Sequence, residues 1–154
     1  MSKKVALFPG SFDPFTKGHE SVISKALTVF DEVIIGVGVN TGKNSFFEAD
    51  KRIQHIQSIY SNTPCISVEI YSGLTVDFAK KVNATHIIRG LRNSNDFIYE
   101  HAIAQMNLDM TGIESVFFLT DKNFSAVSSS LIREIYKNGG KIDAFVTNVS
   151  ILVK

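Results

Sequence analysis

Two short segments carry side chains suited to binding phosphate. The first, Gly10-Ser11-Phe12-Asp13-Pro14-Phe15-Thr16-Lys17-Gly18-His19, predicts an extended turn in front of a helix. A helix N-terminus presents unpaired N–H groups and partial positive charge, and a nearby histidine can donate a hydrogen bond to the same anion. Position alone leaves two interpretations of His19 open, because the ring could contact a phosphate or only cap and pack. The segment matches neither the GxGxxG pattern nor the P-loop pattern.

The second segment, Arg89-Gly90-Leu91-Arg92, places two guanidinium groups three positions apart. Arginine is the side chain suited to forked contacts with phosphate. Gly90 would let the backbone approach a ligand closely. The alternative is that both arginines lie on the surface and pair with Asp96 or Glu100.

The remaining polar residues point to no metal site. His55, His86 and His101 lack metal-ligand spacing with a cysteine or another histidine, so each is interpreted as a surface or helix-packing residue, and no zinc site is predicted. Asp13 precedes a proline, which is typical of a structural turn, although it could touch Mg²⁺ through water. Cys65 is the only cysteine and is interpreted as a small buried hydrophobic residue.

Length and composition limit the class of protein that can carry these segments. The chain has 154 residues, 16 Lys plus Arg against 15 Asp plus Glu, and 44% hydrophobic residues. A chain of this size can bury a full apolar core, which excludes a disulfide miniprotein, and its charge is far from that of a disordered protein. One domain, residues 1–154, is predicted. A net charge of +1 gives no bulk reason to bind nucleic acid or an anionic membrane.

No membrane segment is predicted, because the longest apolar run, residues 33–39, is far shorter than the ~20 residues that span a bilayer. The N-terminal residues run into Pro9, Gly10 and Asp13 before an apolar signal region can form, so no signal peptide is predicted. We therefore expect a cytoplasmic protein.

Short β-branched runs alternate with helical periodicity along the chain. Strands are predicted at residues 5–9, 33–39, 66–71, 85–88 and 115–119. Helices are predicted at residues 19–30, 48–61 and 96–109, around Leu74, Phe78 and Val82, and after the N-cap candidates Ser128, Ser129 and Ser130 up to Gly139. Residues 142–154 are only weakly patterned.

This alternation predicts an α/β fold, a Rossmann-like doubly wound five-stranded parallel sheet, because parallel neighbours require crossover connections. In such sheets ligands bind beyond the carboxyl ends of the strands, where the strand order reverses. With the order 3-2-1-4-5, strands one and four are neighbours there. The loops after Pro9 and after Ile88 should then face one crevice.

Together with Phe124-Ser125-Ala126-Val127-Ser128-Ser129-Ser130, these segments resemble the bacterial phosphopantetheine adenylyltransferases. That family belongs to the nucleotidyltransferases with a (T/H)xGH motif, here Thr16-Lys17-Gly18-His19, and the resemblance extends from Val5 to about Phe145. It implies transfer of an adenylyl group from ATP to 4′-phosphopantetheine, giving dephospho-coenzyme A and pyrophosphate. It also implies a homohexamer and Mg²⁺ bound mainly through the phosphates, with no metal ligands from protein side chains.

The resemblance implies a role for each matching residue. His19 would stabilise the transition state, and Ser11, Lys43, Leu74 and Arg89 would bind the acceptor. The nucleotide would be bound by Ser11, Phe12, His19, Gly90, Leu91, Arg92, Glu100, Phe124, Ser125, Ala126, Val127, Ser128, Ser129 and Ser130. Many members of the family carry Thr at Ser11, which keeps the hydroxyl. A Trp is common at Phe124, which keeps the apolar surface but lacks the indole donor.

The implied chemistry needs no protein nucleophile, because the acceptor phosphate can attack the α-phosphorus of ATP directly. Positive groups would then neutralise the developing charge. The alternatives within the superfamily are a cytidylyltransferase or a nicotinamide mononucleotide adenylyltransferase. Outside it, a flavodoxin-like or nucleotide-binding regulatory module without turnover remains open.

Overall fold

Five parallel strands form the centre of the protein in a computed structural model, which describes residues 1–153. The sheet has the order β3-β2-β1-β4-β5. Its strands are β1 (Val5–Gly10), β2 (Glu32–Gly38), β3 (Ile66–Tyr71), β4 (His86–Leu91) and β5 (Glu114–Leu119). The predicted fold class is therefore confirmed, and strands β1 and β4 are neighbours in the sheet.

Residues 1–153 contain six α-helices. They are α1 (Lys17–Ala26), α2 (Ala49–Ile59), α3 (Thr75–Lys81), α4 (Ser94–Thr111), α5 (Ser129–Lys137) and α6 (Val149–Leu152), and a single 3₁₀ turn covers Lys122–Phe124. None of the helices within residues 1–153 is long and apolar enough to cross a membrane.

Helices cover both faces of the sheet because inner-strand residues alternate between two apolar clusters. On one face Ala6 and Phe8 of β1 pack in a cluster with Val22 of α1 and Ile56 of α2. Leu7 joins the opposite cluster, which contains Val76, Phe78 and Ala79 of α3. Burial of β1 and β2 on both faces explains their nearly continuous apolar sequences.

The predicted end of strand four is wrong. β4 continues to Leu91 because it pairs with β5 residue by residue as far as Leu91 and Leu119. Arg89, Gly90 and Leu91 are therefore strand residues, and only Arg92 of this segment lies in the following loop. The two arginines are still placed at the carboxyl end of the sheet.

The first helix is also shifted from its predicted bounds. It begins at Lys17 because the Thr16 hydroxyl accepts a hydrogen bond from the His19 backbone N–H. It ends at Ala26, and residues 27–30 form a turn in which the Phe30 N–H donates to the Ala26 carbonyl. Cys65 is half-buried rather than buried, because it lies just before the exposed edge strand β3.

The weakly patterned C-terminal segment folds against α1, α2 and α5. Ile142, Val146 and Leu152 form a third apolar cluster with Phe47 and with Ile132 of α5. The Phe145 carbonyl accepts a hydrogen bond of 2.8 Å from the Lys17 backbone N–H, at the first residue of α1. The segment therefore braces the N-terminus of the helix that carries His19.

Candidate active site

Three cavities open at the carboxyl ends of the inner strands, and Ser11 lines all of them. Their volumes are about 250, 430 and 570 Å³. We call them the histidine cavity, the α4 cavity and the basic cavity, after the residues described below. The histidine and α4 cavities also share Arg89 and Glu100.

His19 lies on the wall of the histidine cavity in a fixed tautomeric form. Its Nδ1 accepts a hydrogen bond of 2.9 Å from the Thr16 backbone N–H, which completes a capping box at the start of α1. A nitrogen that accepts from a backbone N–H carries no proton, so in the neutral ring Nε2 holds it. His19 therefore has one N–H donor available for a ligand.

Aromatic rings surround His19. The Phe12 ring meets it edge-on with centroids 5.0 Å apart, and the Phe15 ring is tilted against it at 5.2 Å. Desolvation, together with the charges of Arg89 and Arg92, lowers the pKa of His19 to about 3. The ring is therefore neutral at physiological pH and acts as a hydrogen-bond donor.

Phe12 adopts a left-handed backbone conformation with φ of 48°, which is uncommon for a residue with a side chain. Its ring is buried against Phe8, Phe15 and His19, so packing holds this conformation. Phe12 lies directly after Ser11, where the loop turns away from the end of β1.

Both arginines of the Arg89–Arg92 segment form ion pairs. Arg89 donates to the two carboxylate oxygens of Glu100 at 2.9 and 2.7 Å, and its third contact is with the Pro9 carbonyl. Arg92 pairs with Asp96 at 3.0 and 3.1 Å. Since a guanidinium has five N–H groups, each arginine retains donors that can face a ligand.

The Arg92–Asp96 pair has a clear electrostatic effect. Burial by itself would raise the pKa of Asp96, but hydrogen bonds and charge from Arg92 lower that pKa below its ordinary value. Asp96 therefore remains ionised, and the pair stays at the mouth of the histidine cavity.

Most of the predicted nucleotide-binding residues line the histidine cavity, beside the N-termini of α1 and α5. They are Ser11, Phe12, His19, Gly90, Arg92, Glu100, Val127, Ser128 and Ser129. The Ser128 hydroxyl caps α5 by accepting from the Leu131 N–H. Two helix N-termini therefore meet at one cavity, an arrangement that favours a bound anion.

Five predicted nucleotide residues are not on this wall: Leu91, Phe124, Ser125, Ala126 and Ser130. Leu91 pairs with Leu119 at the end of β4, and the Ser130 hydroxyl accepts from Arg133. Phe124 and its neighbours form the turn before α5. Their contacts with a nucleotide stay predictions from the resemblance.

Gly90 lies where helix α1 packs closely against strand β4. A Cβ at this position would lie 2.7 Å from Cγ2 of Val22 and 3.3 Å from the Thr120 hydroxyl. The glycine is therefore required for close packing of α1 on β4, and its predicted role in the approach of a ligand stays a prediction.

The α4 cavity contains Leu74, Arg89 and Ser11 among the predicted acceptor residues. Its remaining wall includes one side of α4, which sequence reasoning missed: Tyr99, Ile103, Ala104, Asn107 and Met110. Positions 99, 103, 107 and 110 follow helical spacing, which places them on one face of α4. This spacing is the sequence pattern from which the wall could have been predicted. The cavity joins an arginine at one end to an apolar surface.

The basic cavity is lined by Lys43, the fourth predicted acceptor residue, and by Arg52, Arg133 and Lys137. Asp13 also lines it, but the Asp13 carboxylate accepts hydrogen bonds from the backbone N–H groups of Phe46 and Phe47 at 2.7 and 2.8 Å. This supports the structural interpretation of Asp13.

The carboxylates near the cavities do not form a metal-ligand set. No group of three or more His, Cys, Asp or Glu side chains suited to a metal occurs within residues 1–153. Asp96 and Glu100 bind arginines, and Asp13 binds backbone amides. His55 is fully buried and His86 packs on Phe30, as expected for structural histidines.

Comparison with known proteins identifies the family. The family model for cytidylyltransferase-like proteins matches residues 7–135. The phosphopantetheine adenylyltransferase of Cytophaga hutchinsonii is 46% identical over 144 residues, covering 93% of this chain and 96% of that protein. The corresponding protein of Porphyromonas gingivalis is 41% identical over 152 residues, covering 99% of each chain.

Solved structures support the same fold. A bifunctional NMN adenylyltransferase/ADP ribose pyrophosphatase from Francisella tularensis matches with a TM-score of 0.71 at 20% identity. The match covers 97% of this chain and 49% of that one, so this chain spans about half the length of the bifunctional protein. The near-complete match to the curated relatives is decisive: the chain belongs to the phosphopantetheine adenylyltransferase family of nucleotidyltransferases.

Proposed function

We propose that the protein transfers the adenylyl group of ATP to 4′-phosphopantetheine, producing dephospho-coenzyme A and pyrophosphate. Beyond the family, one observation carries this proposal: the histidine cavity and the α4 cavity share a wall containing Ser11, Arg89 and Glu100. A donor in one cavity and an acceptor in the other would meet at that wall. ATP suits the histidine cavity, and the apolar α4 surface suits a pantetheine arm.

The reaction proceeds by direct attack, without a covalent enzyme intermediate. An oxygen of the acceptor phosphate forms a bond to the α-phosphorus of ATP, while the bond from that phosphorus to the bridging oxygen breaks and pyrophosphate leaves. The acceptor oxygen is already anionic, so no protein base is required. Binding both substrates in line supplies most of the rate enhancement.

His19 and the basic side chains stabilise the charge that develops during this attack. Nε2–H of His19 donates to an α-phosphate oxygen, while Arg92 contacts the departing phosphates. Lys43, Arg89 and the Ser11 hydroxyl bind the acceptor phosphate. Fixed donors of this kind require little reorganisation when the negative charge shifts.

Mg²⁺ would be bound through the phosphate oxygens of ATP. Mg²⁺ keeps several waters and relies on substrate phosphates, which fits a site whose nearby carboxylates already bind arginines and amides. When bound, the ion neutralises phosphate charge. The protein side chains described above orient the two substrates around it.

Pyrophosphate release from ATP and Mg²⁺ tests the proposal. Separate reactions contain 4′-phosphopantetheine, nicotinamide mononucleotide or no acceptor, and a parallel set replaces ATP with CTP. Release only with ATP and 4′-phosphopantetheine is the expected result. Release with nicotinamide mononucleotide, or with CTP in place of ATP, would support the superfamily alternatives. ATP binding without release from any acceptor would support a binding module.

We further propose a homohexamer. Support comes from the apolar side chains that α4 exposes in the single chain, including Phe97, Ile98, Tyr99 and Met106. Several large apolar side chains exposed along one helix favour its burial in a protein interface. Light scattering at micromolar concentration should give about six times the chain mass of 17.0 kDa, and a monomer mass would contradict the proposal.

We also propose that the protein works in the cytoplasm and requires no nucleic acid or membrane partner. ATP, the proposed donor, is a cytoplasmic metabolite. Cell fractionation followed by the pyrophosphate assay should find the activity in the cytoplasmic fraction, and activity in the membrane pellet would contradict this location.

A further inference from the structure

Asp13 and Arg52 are buried charged residues to which the proposed reaction assigns no role. Asp13 is 8% exposed and Arg52 is 3% exposed. Within the described residues neither forms an ion pair with an opposite charge. Burying a charge is costly unless strong hydrogen bonds compensate, so the partners of both groups indicate what they do.

Both residues bind the same short segment from opposite sides. The Asp13 carboxylate accepts hydrogen bonds from the Phe46 and Phe47 backbone N–H groups at 2.7 and 2.8 Å. Nε of Arg52 donates to the Phe47 carbonyl at 3.0 Å, and its Nη1 donates to the Ser11 carbonyl. These bonds close a ring between residues 11–13 and residues 46–47, which we call the bracket.

The bracket joins the two parts of the chain that approach the basic cavity. Ser11 lies on one side of that cavity, and Lys43, three residues before Phe46, lies on another. Charge-assisted hydrogen bonds to backbone groups are strong and directional. The bracket therefore fixes the backbone of Ser11 relative to the segment that follows Lys43.

We propose that Asp13 and Arg52 are positioning residues that hold Ser11 and Lys43 at the separation needed for the acceptor phosphate. This inference rests on the proposed function, in which Ser11 and Lys43 contact that phosphate. Neither Asp13 nor Arg52 touches the reacting atoms. They act through the backbone of Ser11 and the segment 44–47.

Two residues that would bind ATP, His19 and Arg92, are held by contacts outside the bracket. His19 is oriented by the Thr16 backbone, and Arg92 is held by Asp96. Arg133 donates to the Asp13 carbonyl at 2.7 Å, which anchors the loop to α5 independently of Arg52. ATP shares Ser11 and Phe12 with the bracketed loop but keeps His19 and Arg92 in place, so loss of the bracket should weaken acceptor binding more than ATP binding.

The test measures both Michaelis constants in Arg52→Gln and Arg52→Lys. Loss of hydrogen bonds from a charged group predicts that Arg52→Gln raises KM for 4′-phosphopantetheine about tenfold. KM for ATP should stay within about twofold, since His19 and Arg92 keep their contacts. Arg52→Lys keeps the charge and one donor direction, so its effect on the acceptor KM should be smaller.

Ile56→Val is the matched control, because it removes a methyl group from a fully buried residue one turn further along α2 and leaves the Arg52 contacts in place. A selective rise in the acceptor KM in this control would assign the effect to general destabilisation and overturn the proposal. Equal rises of both constants in Arg52→Gln and Arg52→Lys would also overturn it.

A double-mutant cycle tests whether the two charges form one bracket. If Asp13→Asn and Arg52→Gln act through the same Phe47 segment, the acceptor KM of the double variant should rise less than the product of the single changes. Independent effects would overturn the bracket. Absence of pyrophosphate release by the unmodified protein would instead contradict the proposed function. Failure of the bracket proposal and failure of the proposed function are therefore distinguishable.

Discussion

Arg89 and Glu100 form a two-bond ion pair that ties β4 to α4 on the shared wall of two cavities. The Glu100 side chain is almost buried, with 10% of it exposed, and the Arg89 side chain is 31% exposed. Arg89 also donates to the Pro9 carbonyl at the end of β1. Glu100 therefore sets the direction of the arginine that lines both cavities.

Glu100→Gln should lower turnover about tenfold, because the amide nitrogen cannot accept the second hydrogen bond that orients Arg89. The free energy of unfolding should fall by about 1–2 kcal/mol for the same reason. Steady-state rates and urea unfolding measure the two effects. Asp109→Asn, which changes an exposed carboxylate further along α4, is the control. An unchanged rate in Glu100→Gln would contradict an orienting role.

Replacement of His19 tests the donor assigned to its Nε2. His19→Ala should lower kcat by about 10²-fold or more, as expected for loss of a fixed donor to a developing charge. His19→Gln should retain more activity, because its amide can donate from near the Nε2 position. His101→Ala, an exposed histidine on α4, is the control. A small loss in a folded His19→Ala protein would remove the residue from the mechanism.

The central features of this site follow from short-range sequence patterns. Helical and strand periods in the sequence predict five alternating strands, and the order 3-2-1-4-5 of a doubly wound sheet then places the loops after β1 and β4 together. The end of β4 could not be predicted, because Arg89 to Leu91 become strand residues only through pairing with β5. The pairing of Arg89 with Glu100 was one of two open interpretations, since spacing does not distinguish a ligand contact from an ion pair.

Other features depend on contacts that leave little trace in a sequence. The C-terminal segment is held partly through its Phe145 and Thr147 carbonyls, and a backbone carbonyl requires no particular side chain. Arg52 is similar, since it binds two backbone carbonyls, that of Phe47 five residues earlier and that of Ser11 41 residues earlier. The α4 wall was periodic, but apolar periodicity in a helix is also typical of core packing.

His19 should show no titration near neutral pH in the ligand-free protein. Its pKa is lowered to about 3, so the ring stays neutral from pH 5 to 9. The Cε1 proton resonance of His19, assigned by comparison with His19→Gln, should remain constant between pH 5 and 8. A midpoint near pH 6.5 would show that the ring is solvated and would contradict a neutral donor.

Stability should depend on pH through His55 as well as through His19, because the pKa of each is lowered in the folded chain. Nε2–H of His55 donates to the Thr147 carbonyl at 2.6 Å, while Nδ1 is buried without a partner in the described residues. Burial lowers the pKa of His55, although the bond to Thr147 opposes this shift. The unfolded chain then binds one more proton than the folded chain at pH values between the folded and unfolded pKa.

The free energy of unfolding should therefore fall as the pH decreases from about 6.5, where an unfolded histidine begins to bind its proton. Within that window His55 contributes a slope of up to about 1.4 kcal/mol per pH unit. His55→Gln keeps a donor for Thr147 but does not titrate. Urea unfolding at pH 7, 6 and 5 should show a shallower decline in this variant, and identical slopes would contradict the assignment.

Gly90 and Val22 provide a test of packing between β4 and α1. A Cβ added at Gly90 would lie 2.7 Å from Val22 Cγ2, so Gly90→Ala should reduce the free energy of unfolding by about 1–3 kcal/mol. It should also move the helix that carries His19 and reduce turnover.

Val22→Ala alone leaves a void in the core, but combined with Gly90→Ala it makes room for the added methyl group. The double variant should be more stable than the sum of the single losses, as measured by urea unfolding. Additive losses would show that the clash with Val22 does not explain the glycine.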